Sequence, residues 1–255
     1  MKPRRLALIL LLGLALALPA GPVRAEETSL SAKEILDKID DLYRGQASHG
    51  RMSMAITTAH WTRTLELEFW SQGKDKSLIR ILAPTKEKGT ATLRVGSDLW
   101  NYLPKVKRVI KLPSSMMSAS WMGSHFTNND LVKESRMAED YTFEVSFQGR
   151  RRGEDLIEVT CLPKPEAAVV WGKVLVEVRL SDYQPLLLTY FDEVMKPART
   201  MTFAEYKTLG GRLLPARMTI VPADKPEEKT VVEYQTIEFE PELAPEVFSL
   251  RNLQR

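Results

Sequence analysis

The run "RTLELEFWSQGKDKSLIRIL", Arg63 to Leu82, sets the architecture. Leu65, Leu67 and Phe69 alternate with Thr64, Glu66 and Glu68. A period of two places apolar side chains on one face of a strand and polar ones on the other. Gln72-Gly73-Lys74-Asp75 then interrupts with turn residues, and an apolar-rich strand resumes at position 76. This is an antiparallel pair with one dry face and one wet face.

The same grammar extends in both directions. Met52, Met54 and Ile56 alternate with small or polar residues. Tyr141, Phe143, Val145 and Phe147 alternate with Thr142, Glu144, Ser146 and Gln148. Val174, Val176, Val178 and Leu180 face away from Glu177 and Arg179. Turn signals recur at Gly96-Ser97-Asp98, Arg152-Gly153-Glu154-Asp155, Ser181-Asp182-Tyr183, Gly210-Gly211 and Pro222 to Pro226. Strands are expected near 50–59, 62–72, 76–83, 89–95, 98–103, 107–112, 140–149, 154–162, 173–181, 185–192, 199–208, 212–221 and 229–239. Meandering strands at this spacing predict a sandwich, a barrel or a strongly curved sheet.

Helices are few. Ser31-Ala32-Lys33-Glu34 reads as a capping box, followed by an apolar stripe of Ile35, Leu36, Ile39, Leu42 and Tyr43 that ends at Gly45. Two segments break the strand rhythm. One is 113–135, with a short helix expected over Asn129–Ser135, and the other is a helical turn at Ala244–Phe248.

Lys2, Arg4 and Arg5, an apolar run from Leu6 to Leu18, and a small-residue exit at Val23-Arg24-Ala25 have the three parts of a secretory signal. The run falls short of the ~20 residues that span a bilayer, which disfavours an uncleaved anchor. Residues 1–25 are therefore expected to be removed after Ala25, leaving 26–255 as one domain. Losing the four basic residues of the signal turns the net charge of +3 into −1, so a nucleic-acid partner is excluded. Cys161 is the lone cysteine, so an exported chain of this kind rests on burial rather than disulfides.

Catalytic patterns are absent from the sequence. His49, His60 and His125 are scattered, with no H-x-x-x-H spacing for a metal. His49 reads as a turn residue and His60 as a strand end; His125 is the one considered for function. No phosphate loop and no nucleophile elbow occurs, and Cys161 inside "LIEVTCLP" reads as a packed thiol. No enzyme, cofactor or metal is expected.

The segment "LWNYLPKVKRVIKLP", Leu99 to Pro113, is more telling. Trp100 and Tyr102 share one strand face. Lys105, Lys107, Arg108 and Lys111 then concentrate positive charge, either as the solvated tip of a hairpin that protects a sheet edge or as a basic rim suited to anionic headgroups or an acidic partner surface. Just beyond lies "SASWMGSHFTNND", Ser118 to Asp130, an apolar loop without strand alternation.

These two segments, with "LIRILAPTKEKGTATL" from Leu78 to Leu93, resemble the outer-membrane lipoprotein-sorting protein family, related in fold to the Lol carriers and receptors. The resemblance covers most of the mature chain. It departs at His125, where an aspartate is usual, and at Trp121, where a phenylalanine is usual. It implies a mainly β fold with minor α: a strongly curved antiparallel sheet forming an incomplete barrel, with helices covering the concave face. It also implies a periplasmic carrier or chaperone that shields lipoprotein acyl chains or other lipids on the way to the outer membrane. An inner-membrane permease or an outer-membrane receptor would be its partner. Trp100, Tyr102, Met116, Met117, Trp121, Met122 and Phe126 are the expected ligand-binding or mouth residues. The alternative is a periplasmic adaptor or sensor module that docks a protein through the same loop beside a membrane transporter.

Overall fold

The computed structural model describes residues 30–133 and 137–255. The expected export signal lies outside the described residues, as does the last turn of the helix expected to end at Ser135.

Helix α1 (Ala32–Asp40) begins as the sequence predicts. The Glu34 amide donates to Ser31 Oγ at 3.3 Å, and the Ser31 amide donates to Glu34 Oε2 at 2.8 Å. Ile35 and Leu36 are fully buried, each contributing about 1.5–3 kcal/mol. The strands follow as β1 (Ala47–Thr57), β2 (Thr62–Gln72), β3 (Lys76–Ala83), β4 (Ala91–Val95), β5 (Asp98–Leu103) and β6 (Arg108–Lys111). Helices α2 (Asn128–Lys133) and α3 (Met137–Asp140) intervene. Then come β7 (Tyr141–Arg151), β8 (Glu154–Pro163), β9 (Lys173–Arg179), β10 (Pro185–Phe191), β11 (Pro197–Leu209), β12 (Arg212–Pro222) and β13 (Lys229–Phe239). A 3-10 turn (Pro245–Phe248) and helix α4 (Leu250–Leu253) end the chain.

All thirteen strands belong to one antiparallel sheet, in the order β6-β5-β4-β3-β2-β1-β13-β12-β11-β10-β9-β8-β7. The chain starts at the centre with β1, meanders out to the edge at β6, crosses to the opposite edge at β7, and meanders back until β13 pairs with β1. Strand β1 pairs with β2 from Ala47↔Gln72 to Thr57↔Thr62, and with β13 from Ser48↔Phe239 to Thr57↔Lys229.

This corrects the expectation of a strongly curved sheet forming an incomplete barrel with helices over a concave face. Among the described residues the sheet is a single open layer with β6 and β7 as its edges, neither paired on its outer side. Its helices cover only part of it. A sandwich is excluded too, because every strand belongs to the same sheet. The physical reason is local. Alternation and turn spacing determine neighbour pairing and the buried face, whereas closure depends on strand tilt and stagger around the whole sheet.

The expected single dry face is also incomplete. On one side, α1 and residues 113–133 and 137–140 of the crossing segment cover a core of Met54, Ile56, Leu65, Leu67, Val159, Val176 and Ile220, all nearly fully buried. On the other side, Phe248 and Leu253 from the C-terminal turn and α4 cover Leu78, Ala91 and Leu93. Strand β4 is thus buried on both faces, which explains why "ATLRV" lacks a clean polar alternation.

Candidate functional site

The loop that puzzles the sequence reader is the strap that carries the chain from one sheet edge to the other. Its core is a minimal hairpin. Ser120 bridges Thr127, the Trp121 amide donates to Phe126 O at 2.8 Å, and the Ser124 amide donates to Trp121 O at 2.9 Å. Met122 and Gly123 both take positive φ, +52° and +72°, as a type I′ turn requires. This tight reversal sends Trp121 and Phe126 together toward the sheet, where they are 3 % and 9 % exposed. Met122 is half-buried and Gly123 exposed on the outer side.

Polar side chains at every second strand of the sheet pin the strap as it crosses. From β4, Thr92 Oγ1 accepts the Trp121 indole N–H at 3.0 Å. From β2, Arg63 donates to the Met122 carbonyl. From β13, Thr230 Oγ1 accepts the His125 amide at 3.0 Å and lies 2.8 Å from His125 Nδ1. Glu228 Oε2 lies 3.3 Å from His125 Nε2. The amide of Ala59, then His125, hold the Glu228 carboxyl below its usual range. The carboxylate beside His125 thus comes from the turn before β13. From β11, Arg199 donates to the His125 carbonyl at 2.8 Å and to both Asp130 oxygens at 2.7 Å. Its guanidinium also lies 4.5 Å from the Trp171 ring and 4.2 Å from the Tyr190 ring. Asp130 in turn accepts the Thr127 amide at 2.6 Å, at the start of α2.

Beneath strap and helix lies a cavity of about 170 Å³. Trp121, Phe126, Leu131 and Met137 form its roof with Ile39 of α1 and Tyr43 of the turn that follows it. Met52, Met54, Phe69, Leu188, Phe203, Met218 and Val232 form its floor. Tyr43 stacks on Tyr234 at 4.5 Å. One end is polar, with Asp40, Ser48, Ser71 and Arg94. Ser48 and Ser71 share a 2.7 Å hydrogen bond there. The arrangement can enclose an apolar group and meet a polar one at one end.

The expected site residues fall in three places. Trp121 and Phe126 wall the cavity. Met122 is half-buried and packs against the main core, Met116 is 47 % exposed, and Met117 packs beside Leu99 and Leu112. Trp100 and Tyr102 pack with Phe248 and Leu253 on the opposite face of the sheet. Lys105, Lys107 and Arg108 are exposed at the β5–β6 turn, while Lys111 pairs with Asp98 at 2.7 Å over the Trp100 ring.

The sequence reading missed the methionines of β1 and β12, the polar cavity end and Arg199. A signal existed. Ser48 and Ser71 interrupt the inward apolar parity of β1 and β2, and Arg199 shares the inward parity of Met201 and Phe203.

The groups weighed for chemistry are structural. Cys161 is fully buried in β8, and burial pushes its thiol up to about 12, so it stays protonated and unreactive near neutrality. His125 is engaged on both ring nitrogens. His49, expected in a turn, sits within β1, stacked 5.1 Å from Trp70 and 3.0 Å from Glu68. Among the described residues no cluster of three or more His, Cys, Asp or Glu is placed to hold a metal.

The fold resembles that of the LolA and outer-membrane lipoprotein-sorting superfamily at moderate identity. Residues 73–255 match a family model whose description reads "-like: Uncharacterized protein", and the chain belongs to that family. A structure described as a candidate outer-membrane lipoprotein-sorting protein domain from Vibrio parahaemolyticus is 25 % identical, with a TM-score of 0.77 over 88 % of this chain and 98 % of that one. A DUF1329 family protein from Desulfovibrio piger is 21 % identical, with a TM-score of 0.79 over 87 % and 97 %. A LolA superfamily protein from Nitrosomonas europaea is 21 % identical, with a TM-score of 0.74 over 88 % and 99 %. No curated protein matches the chain. The 25 % identical relative is the one described as a lipoprotein-sorting domain.

Proposed function

We propose that this chain is a periplasmic carrier or chaperone that shields an acyl chain of a lipid or lipoprotein in transit to the outer membrane. The observation that carries the reading is the apolar cavity walled by Trp121 and Phe126 beneath the strap. An exposed methylene costs roughly 0.8 kcal/mol in water, so even a short acyl segment needs shelter to cross an aqueous space. The likeness to a candidate lipoprotein-sorting domain supports the same reading.

Size refines it. At about 170 Å³ the cavity is close to the ~150 Å³ apolar cavity that accepts benzene. In this conformation it takes one short apolar segment, not several full acyl chains. A longer chain needs room, and the cavity walls have the means to supply it. Met52, Met54, Met137 and Met218 are unbranched and adapt to irregular guests. The strap is held by discrete polar contacts that can exchange. Trp121 and Phe126 are the proposed ligand contacts, with Met116, Met117 and Met122 along the strap as the proposed mouth. Residues 1–25 are the proposed export signal and the remainder the single carrier domain. An inner-membrane permease and an outer-membrane receptor are the proposed donor and acceptor.

Native mass spectrometry of protein purified without detergent tests the reading. A bound lipid that leaves under denaturing conditions is the expected result. An empty protein that also fails to take up a fatty acid from solution would end it. A photo-crosslinker at position 121 adds the identity of the neighbour: lipid adducts support a carrier, and a single protein adduct points instead to an adaptor.

A further inference from the structure

At one end of the strands, neighbouring turns form a continuous surface. The register brings the ends of β2, β3, β4, β5 and β6 together through Glu66↔Ala83, Arg80↔Ala91, Ala91↔Tyr102 and Leu103↔Arg108. A β-carbon at Gly89 would stand 3.7 Å from the Pro104 ring, so the β3–β4 and β5–β6 turns lie side by side. The first turn exposes Lys86 and Lys88; the second exposes Lys105, Lys107 and Arg108. Among the described residues none of these five has an ion-pair partner, in contrast to Lys111, which Asp98 neutralises. The two turns contain one acid, Glu87. It points inward, 18 % exposed, to Arg63 at 3.6 Å. The surface therefore carries concentrated, uncompensated positive charge although the chain without its export signal is nearly neutral.

Apolar side chains project from the same surface. Val106 stands between Lys105 and Lys107 and is 58 % exposed. Trp61, in the β1–β2 turn, is 42 % exposed, lies 5.1 Å from the Arg63 guanidinium, and borders Gly123 of the strap. The patch stops past Ala59, whose amide donates to Glu228, where Asp224 and Glu227 bring exposed acids beside Lys225 and Lys229.

We propose that this end of the sheet docks on an anionic lipid bilayer. Amines around single projecting side chains suit a deformable interface: lysine stems lie along the apolar layer while their charges stay among the headgroups, and tryptophan favours the same depth. An acidic protein partner would call for a contiguous desolvated anchor cluster, and here the apolar tips stand apart. Docking in this way sets the exposed Gly123 turn of the strap, which Trp61 borders, against the membrane. The proposal goes beyond the carrier reading and stands whether or not the cavity holds a lipid.

Co-sedimentation of the purified protein with phosphatidylcholine vesicles, with and without phosphatidylglycerol, tests it. Binding is expected only with phosphatidylglycerol present, and is expected to fall as salt rises. The K105Q/K107Q/R108Q variant is expected to lose about tenfold or more in affinity, whereas a variant with Lys33, Lys164 and Lys207 changed to Gln keeps most of it. The milder V106S should weaken binding with no change in net charge. Wild-type protein that ignores phosphatidylglycerol vesicles at low salt would overturn the proposal, as would equal binding by the two triple variants. The ligand content of the cavity, read by mass spectrometry, is expected to be the same in all of them.

Discussion

Arg199 and Asp130 meet through two parallel hydrogen bonds of 2.7 Å, with their side chains only 4 % and 7 % exposed. One belongs to the returning half of the sheet and the other to the strap. Their pairing fastens the strap to the sheet at its far side, and Trp171 and Tyr190 exclude water from the guanidinium. Removing one partner strands the other charge in a dry site. Arg199→Leu or Asp130→Asn is expected to cost about 3–5 kcal/mol in urea unfolding. A loss below ~1 kcal/mol would show that the pair is solvated in solution.

The roof of the cavity should be separable from the fold. Phe126→Ala is expected to destabilise by about 3–5 kcal/mol, because truncation enlarges an existing void. Val232→Trp, which fills the floor from β13, is expected to cost about 1–3 kcal/mol and to abolish lipid occupancy. A filled variant that still purifies with lipid would move the binding site away from this cavity.

His125 and Glu228 should behave as one unit. Changing His125→Asp places a carboxylate against Glu228. It is expected to destabilise the protein by roughly 1–3 kcal/mol, with much of the loss recovered in His125→Asp/Glu228→Gln. Additive losses in that double-mutant cycle would refute the coupling.

Alkaline pH gives a further check. The Cys161 thiol rises from 9.0 to about 12 on burial, so its folded-state pKa lies above its unfolded one. Its contribution to stability is complete below pH 9 and is lost progressively as pH climbs from 9 toward about 12. Burial also raises the Tyr141 hydroxyl and steepens the same decline. Unfolding free energies measured across this window should fall more gently for Cys161→Ala than for the wild type. Identical slopes would mean that the thiol is not buried in solution.

Much of the fold was legible because its determinants are local. Alternation in "TLELEF" and its counterparts located every strand, and Ser31 with Glu34 located the first helix. Closure was not legible, since no short window of sequence records whether β6 approaches β7. At the site, Trp121 and Phe126 could be singled out because they are large apolar residues in a non-periodic loop. Trp100 and Tyr102 carried the same apolar signal yet pack on the other face, because one residue of register in β5 decides the side. The partners that pin the strap, Thr92, Arg199, Glu228 and Thr230, lie far from it in sequence, and beyond the inward parity of Arg199 nothing in their own surroundings announces the contact.

The pairing of β1 with β13 carries a kinetic consequence. The first strand waits for the last, with nearly the whole described chain between Ser48 and Phe239. Until β13 arrives, β1 has an open edge and the two meanders are unjoined. Such high contact order is expected to slow folding and to make the final ladder the committing step. The same delay leaves the incomplete chain with one edge of its central strand open, the place where a folding helper would have most to protect.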